Sequence, residues 1–324
     1  MTVTVRRTLL VLTCHLLLLA ACTGRAPKEP AAVLPGTLRI ATATSAGVYY
    51  PVGQAMARLW EQRVPGVKPA VLLTAGGPEN IGLLMRHEAD VAFSQSGIVY
   101  AAVTDGAKGA QIRATLRGLT HLYPNVMHLV VRKDSGVTNP ADLKGKRFIP
   151  GPLDSAAYIN STELLSLYGL TLADVKAQYM GYAEAAVAVR DGLADGALIP
   201  GGLYIEAVSS MLNAGQADLL PLDAPRIMKK YPWYYPYTVP AGTYPNQAGE
   251  VRTVAVANIL MARADLPDDL AYNLVKSLYE GKAELQQSHP AADLHIEDAL
   301  RGITGVLELH PGAARYMREA GVLP

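Results

Sequence analysis

Short apolar runs alternate with segments of helical periodicity along the chain, and this alternation predicts an α/β fold. The stretch LRIATATSAG, which begins at Leu38, has the pattern of a strand, a loop and the start of a helix. Further along, Leu270, Leu274 and Leu278 recur at every fourth position, which predicts a helix over about 268–287. The pattern of strands and helices therefore places the chain in the α/β class.

Three segments recur in the same order about 105 to 109 residues later in the chain. The pairs are LRIATATSAG with KRFIPGPLDSAA, VKPAVLLTAGG with VKAQYMGYAEA, and ADVAFSQSG with ADGALIPGG. Three matches in order predict two similarly built lobes, each a βαβ-based unit with a parallel sheet. Strand-like segments at 127–134 and 253–263 bracket the second lobe and predict a two-segment hinge. We place lobe 1 at 37–131 and 255–324, and lobe 2 at 132–254.

The loops that follow the predicted strands are rich in glycine and small hydroxyl residues. Ligands gather at the carboxyl ends of parallel strands, where the N–H groups of helix starts favour an anion. Each loop taken alone is equally typical of a tight turn, whereas their joint placement predicts an anion-binding cleft between the lobes. The predicted ligand-binding residues are Ser45, Gly47, Tyr49, Tyr50, Gly76, Gly77, Asn80, Gln95, Ser96, Asp154, Ser155, Ala156 and Gly201.

Two aromatic features leave alternatives open. Of Tyr49 and Tyr50, we expect one to pack in the core and the other to offer its hydroxyl to a ligand, with Tyr50 as the ligand-facing choice. The Tyr/Pro-rich run YPWYYPYTVPAGTYP at 231–245 fits an ordered loop packed over lobe 2 or the hinge. It also fits a lid or a partner surface, because Tyr and Trp are favoured at interfaces.

The N-terminus has the proportions of an export signal. Arg6 and Arg7 precede the apolar run LLVLTCHLLLLAA, which is too short to span a bilayer. The run ends in LAAC, which resembles the lipobox of bacterial lipoproteins. We therefore predict a signal peptide at 1–21, lipidation of Cys22, a tether at 22–36 and a periplasmic, membrane-anchored protein. An ordinary signal peptide with an incidental cysteine is the alternative.

Composition and motifs exclude several function classes. The net charge of +1 and the lack of a dense basic stripe argue against nucleic-acid binding. The sequence contains no G-x-S-x-G, H-E-x-x-H or P-loop motif, and its histidines are scattered. Removal of the signal peptide would leave Cys22 as the only cysteine. We expect no catalytic activity, no cofactor and no bound metal.

Several segments together resemble a known family over essentially the whole mature chain. They include SAGVYYPVG (45–53), HEADVAFSQS (87–96), YPYTVPAGTYPNQ (235–247) and LHPGAARYMREAG (309–321). The chain resembles the TAXI-type solute-binding proteins of TRAP (tripartite ATP-independent periplasmic) transporters. The resemblance implies a two-lobed periplasmic-binding-protein type II fold that captures a small carboxylate, such as glutamate or a dicarboxylate. It also implies a TRAP membrane permease as the partner, driven by an ion gradient.

Three departures from the family pattern fall in the predicted site. The second loop, Gly76-Gly77-Pro78, lacks the usual serine, and the third strand end, Gln95-Ser96-Gly97, lacks the usual aspartate. The lobe 2 loop has Asp154-Ser155-Ala156-Ala157 where the family usually has Gly-Ser-Gly-Thr. Loss of the aspartate suggests a dicarboxylate or keto acid without an α-amino group, although Asp154 offers another negative charge. A sensor component of a signalling system is the alternative function, and an enzyme on the same fold is the third class.

Overall fold

The computed structural model describes residues 36–324, which belong to one structural unit. The predicted signal peptide at 1–21, the lipidation site Cys22 and nearly all of the tether lie outside the described residues.

The strands of the described residues form one mixed sheet of ten strands. Eight of them follow the order β2-β1-β3-β10-β4-β7-β5-β6, while β8 pairs with β4 and β9 pairs with β10. The strands are β1 (Thr37–Ala41), β2 (Lys68–Leu72), β3 (Val91–Gln95), β4 (Leu116–Arg132), β5 (Arg147–Ile149), β6 (Lys176–Ala177), β7 (Gly196–Gly201), β8 (Ala217–Leu220), β9 (Tyr234–Val239) and β10 (Val251–Arg263).

The sheet repeats one arrangement on either side of two long central strands. On one side, β1 pairs in parallel with β2 and β3, and we call these strands with α1 and α2 the first unit. On the other side, β5 pairs in parallel with β6 and β7, and these strands with α5 and α6 form the second unit. Between them, β10 and β4 pair antiparallel to each other. The exact lobe boundaries stay a prediction.

The helices of the described residues connect these strands. They are α1 (Tyr49–Arg63), α2 (Gly77–Met85), α3 (Ser96–Val103), α4 (Gly106–Thr115), α5 (Ala156–Leu167), α6 (Tyr182–Arg190), α7 (Glu206–Asn213), α8 (Ala224–Lys230), α9 (Asp268–Glu280), α10 (Lys282–Ser288) and α11 (Pro311–Glu319). Short 3-10 turns lie at Lys133–Ser135, Pro140–Leu143, Leu172–Asp174 and Ile296–Asp298.

Two predicted elements have different bounds in the structure. The helix expected over 268–287 is divided at Gly281, where an added Cβ would lie 2.5 Å from Leu59 Cδ1. The strand expected to begin at 127 begins at Leu116. The start expected from the sequence is too late, because buried polar residues interrupt the apolar pattern of the first half of the strand. Thr120, His121 and Asn125 are each less than 5% exposed. A buried polar strand of this kind does not show the alternation on which sequence-based recognition of strands depends.

The core lies on both faces of the sheet. On one face, α1 packs against α9, and the buried Trp60 donates its indole N–H to the carbonyl of Leu274 at 3.1 Å. The Tyr/Pro-rich run forms β9 and its flanks, in which Tyr234 and Tyr244 are buried. Trp233 packs against Gly97 and lies 5.3 Å, centroid to centroid, from Tyr100. The aromatic side chains of the run are therefore buried or half-buried, whereas its prolines are exposed.

Candidate functional site

A cleft lies where the carboxyl ends of strands from both units meet. It holds about 630 Å³ of empty space, part of which is open to solvent. The first unit contributes the loop around Gly47 and the start of α2, and the second unit contributes Ser155 and Gly181. The central strand β4 forms the floor with Tyr123 and Asn125.

Five helices of the described residues begin at this cleft. Its lining includes Tyr49 of α1, Gly77 of α2, Ala156 of α5, Tyr182 of α6, and Gln95, which directly precedes α3. The first N–H groups of a helix lack intrahelical acceptors, and the helix dipole adds partial positive charge there. The cleft therefore offers positive potential without needing cationic side chains.

Local sequence explains why these helices begin where they do. Ser155 caps α5, because its Oγ accepts the N–H of Tyr158 at 3.2 Å and donates to the carbonyl of Pro152 at 2.7 Å. At α2, Gly76 has a φ of +104°, a conformation that favours glycine. A Cβ on the next residue, Gly77, would lie 2.6 Å from Ser94 Oγ. These glycines keep the backbone of the loop at the cleft wall.

The lining of the cleft within residues 36–324 contains no charged side chain. The nearest carboxylate of the α2 loop, that of Glu79, accepts the N–H of Ala75 at 2.6 Å. No group of three His, Cys, Asp or Glu side chains in the described part of the chain is placed to hold a metal ion. A ligand in the cleft would therefore meet neutral side chains and backbone amides.

Three neutral polar residues lie side by side on neighbouring strands, and two of them, Gln95 and Tyr123, line the cleft. In the strand register, Asn258 of β10 is the partner of Gln95 on β3 and of Tyr123 on β4. Tyr49 packs over them, with its ring 6.5 Å from that of Tyr123, and donates its hydroxyl to Asn258 Oδ1 at 2.5 Å. Burial raises the pKa of the Tyr49 and Tyr123 hydroxyls, so both are protonated at neutral pH. We call Gln95, Asn258 and Tyr123 the floor row.

The structure brings together eight of the thirteen residues predicted from sequence. The cleft is lined by Gly47, Tyr49, Gly76, Gly77, Gln95, Ser155, Ala156 and Gly201. Their contact with a ligand stays a prediction.

The other five predicted residues lie outside the lining. Ser45 lies in a neighbouring groove, and the Tyr50 hydroxyl accepts from Gln54 Nε2 at 3.1 Å, so Tyr49 is the tyrosine at the cleft. Asn80 is buried and donates to the carbonyls of Thr42 and Phe93, which supports the loops from behind. Ser96 is buried against Gly302, and Asp154 is exposed with a φ of +59°.

Sequence reasoning missed several residues of the lining. Tyr123 and Asn125 escaped because they lie inside a strand, two positions apart on one face, and not in a loop. Gly181 and Tyr182 carried a usable signal. In the second repeat, which pairs VKPAVLLTAGG with VKAQYMGYAEA, Gly181 is the only glycine of the second segment and lies three residues before the position that aligns with Gly76.

Solved structures with the same fold were found at low sequence identity. PhnD1 from Prochlorococcus marinus (MIT 9301), in complex with methylphosphonate, has a TM-score of 0.56 at 11% identity, covering 90% of this chain and 100% of that chain. The binding-protein component of an ABC phosphonate transporter from Pseudomonas aeruginosa has a TM-score of 0.52 at 12% identity, covering 79% and 78%. The aliphatic sulphonate binding protein SsuA from Escherichia coli has a TM-score of 0.50 at 18% identity, covering 88% and 84%.

These similarities confirm the predicted fold class. The chain has the mixed α/β, two-lobed periplasmic-binding-protein type II fold, with a curled sheet. The narrower TAXI assignment stays a prediction. The family model described as the NMT1-like family matches residues 40–321, which is nearly the whole described chain. The protein therefore belongs to the NMT1-like family.

Proposed function

We propose that the protein is an extracytoplasmic solute-binding protein that holds a small organic anion in the cleft and delivers it to a membrane transporter. The observation that carries the proposal is the meeting of five helix N-termini at a cleft without charged side chains. Amides and helix dipoles together stabilise an anion there, whereas a cation would meet no opposite charge. The type II fold and the NMT1-like family support the same function.

The neutral lining favours a singly charged head group. Each helix N-terminus supplies only about half an elementary charge, which is screened by solvent. Because no cationic side chain of the described residues lines the cleft to neutralise a second charge, we propose a carboxylate or a sulfonate ahead of a phosphonate dianion. The carboxylate comes from the sequence resemblance, and the sulfonate is added because SsuA is a sulphonate binding protein.

The position of Asp154 bears on whether the ligand carries an amino group. Its side chain is exposed and outside the cleft lining, so it is poorly placed to replace the aspartate that the family usually has. An ammonium in the cleft would find no carboxylate partner among the described lining residues. We therefore propose a dicarboxylate, keto acid or related anion ahead of glutamate.

The transport partner and the anchor complete the proposal. A TRAP permease is proposed from the sequence motifs, although the Pseudomonas aeruginosa neighbour belongs to an ABC transporter. Uptake that stops when the ion gradient is collapsed, with ATP still present, would favour the TRAP partner.

The proposed location is periplasmic, with the chain tethered through Cys22. No helix of residues 36–324 is long and apolar enough to cross a membrane.

A thermal-shift screen tests the function directly. Residues 23–324 would be screened with dicarboxylates, keto acids, amino acids, sulfonates and phosphonates. A ligand present at 100 times its dissociation constant stabilises the folded state by about 2.7 kcal/mol. We expect a rise in melting temperature of roughly 5–10 °C with a carboxylate or a sulfonate. Binding limited to cations, or turnover of a bound compound, would contradict the proposal.

A further inference from the structure

The floor row contains buried polar atoms without hydrogen-bond partners. Gln95, Asn258 and Tyr123 are 3%, 0% and 1% exposed. Within the described chain, Gln95 Oε1, Asn258 Nδ2 and Tyr123 Oη have no hydrogen-bond partner. Buried polar atoms are nearly always paired, because leaving one unpaired costs about 1–3 kcal/mol. Three such atoms in one row therefore call for a binding partner.

A buried amide in the same unit shows the normal arrangement. Asn80 donates to the carbonyls of Thr42 at 2.7 Å and Phe93 at 2.8 Å, and its Oδ1 accepts the Thr74 hydroxyl at 2.8 Å. The first unit therefore satisfies a buried amide fully where the amide supports the fold. The unpaired atoms of the floor row lie where two of its residues, Gln95 and Tyr123, line the cleft.

The unpaired atoms have a definite donor and acceptor pattern. Asn258 Oδ1 already accepts the Tyr49 hydroxyl, which leaves Asn258 Nδ2 as a donor. Gln95 Oε1 is an acceptor, and the protonated Tyr123 hydroxyl is both a donor and an acceptor. A hydroxyl group, with one hydrogen and two lone pairs, complements this set. A methylene pairs with none of these atoms, an oxo group leaves Gln95 Oε1 unpaired, and an ammonium faces the amide donor without a counter-charge.

We propose that the floor row binds a neutral hydroxyl of the solute, so that among the anions proposed above a hydroxylated one is favoured over a keto acid. The proposal rests on the function proposed above, because the charged head group is held by the helix N-termini. Tyr123 and Gln95 then determine specificity, while the helix starts supply the affinity for the anion.

Matched ligand series separate the contribution of the hydroxyl to the binding affinity from the contribution of the charged head group. Calorimetric titration at pH 7 would compare malate, succinate, aspartate and oxaloacetate, then lactate, propionate, alanine and pyruvate. A sulfonate series would compare isethionate, ethanesulfonate and taurine. We expect the hydroxylated member of at least one series to bind about tenfold tighter than its unsubstituted member, since a lost hydrogen bond with a buried partner has that effect.

Conservative variants assign the preference to the floor row. Tyr123→Phe and Gln95→Met each remove one polar group at nearly constant volume. Each should lower the preference for the hydroxyl severalfold and leave the affinity for the unsubstituted anion within about threefold. Tyr316→Phe, on α11, is the control and should leave the preference unchanged.

The outcomes distinguish this inference from the proposed function. Equal binding of hydroxylated and unsubstituted anions, or tighter binding of the amino member, overturns the inference but leaves the anion-binding function. A hydroxyl preference that both variants retain in full also overturns it. A complete lack of binding in all three series overturns the inference and the proposed function together.

Discussion

In each of the two α/β units, the backbone N–H and the guanidinium of one arginine pair with one aspartate, and we call this pair the Arg–Asp bracket. The surroundings of the bracket differ between the units. In the first unit, the N–H of Arg39 on β1 donates to Asp90 Oδ2 at 2.8 Å, just before β3. In the second unit, the N–H of Arg147 on β5 donates to Asp195 Oδ2 at the same distance, just before β7. In both units the guanidinium also pairs with the carboxylate. The sequence repeat thus corresponds to a repeated framework.

The brackets differ in burial and in their partners. The side chains of Arg39 and Asp90 are 13% and 10% exposed, and Arg263 joins them, whereas those of Arg147 and Asp195 are 40% and 16% exposed. Burial alone would raise the pKa of Asp90, but hydrogen bonds from Arg39 and the charge of Arg263 lower it overall. The hydrogen bond from Arg147 likewise lowers the pKa of Asp195.

The strand ends that follow the brackets differ in chemistry. The first unit ends β3 with Gln95, a polar side chain of the floor row, while the second ends β7 with Pro200 and Gly201. The framework is therefore repeated, but the polar side chains at the ends of these strands are not. The second unit contributes chiefly backbone and helix starts to the cleft.

The largest expected effect comes from breaking the two brackets separately. Asp90→Ala leaves two guanidinium groups without a buried partner, and we expect it to lower the free energy of unfolding by about 3–5 kcal/mol. Asp195→Ala, in the more exposed bracket, should cost about 1 kcal/mol. Urea denaturation of both variants checks the comparison. Equal losses would show that burial does not distinguish the brackets.

Acid should weaken the fold through two histidines of β4. Burial lowers the pKa of His121 and of His128 to about 4, against about 6.5 in the unfolded chain. The unfolded chain therefore binds more protons as the pH falls from about 6.5 to 4. Each neutral, buried histidine therefore contributes stability that is fully present above about pH 6.5. Up to about 3 kcal/mol of stability per histidine should be lost as the pH falls from about 6.5 to 4. Melting temperatures measured from pH 7.5 to 4.5 check this.

The two histidines differ in pairing, which provides matched variants. His128 is paired with the carbonyl of Ile199 and the hydroxyl of Tyr244, each at 2.9 Å, whereas His121 Nε2 has no partner in the described chain. Either substitution by leucine should reduce the acid sensitivity. At pH 7, however, His128→Leu should cost about 1–3 kcal/mol, because it removes the hydrogen bonds to the Ile199 carbonyl and the Tyr244 hydroxyl, and His121→Leu should cost less. The reverse order would contradict the role of pairing.

The smallest effect should come from the helix caps at the cleft. Ser155 caps α5 in the second unit, whereas α1 in the first unit has no side-chain cap. Ser155→Ala should lower the free energy of unfolding by about 1 kcal/mol, because the N–H of Tyr158 loses its acceptor. It should also weaken anion binding, since α5 begins at the cleft. Unchanged stability in a thermal melt would show that the cap contributes nothing measurable.

The local parts of the site were predictable from sequence. Glycine at Gly76 and Gly77, the Ser155 cap and the apolar periodicity mark helix starts through short-range preferences. The repeat predicted two units of one design, and the shared brackets of Asp90 and Asp195 agree with it. The helix-start signals depend on residues within a few positions of each other, whereas the repeat depends on the order of matching segments along the chain.

Only the tertiary structure decided how the floor of the cleft is built. Gln95, Tyr123 and Asn258 are far apart in the chain, and the register of β3, β10 and β4 makes them neighbours. A one-residue shift of any of these strands would turn its side chain to the opposite face of the sheet. The sequence by itself determined that helices begin after the loops that follow β1, β2 and β5, and that the chain repeats. Long-range strand pairing determined which polar side chains lie together beside the cleft, because that arrangement depends on the whole sheet and not on local preference.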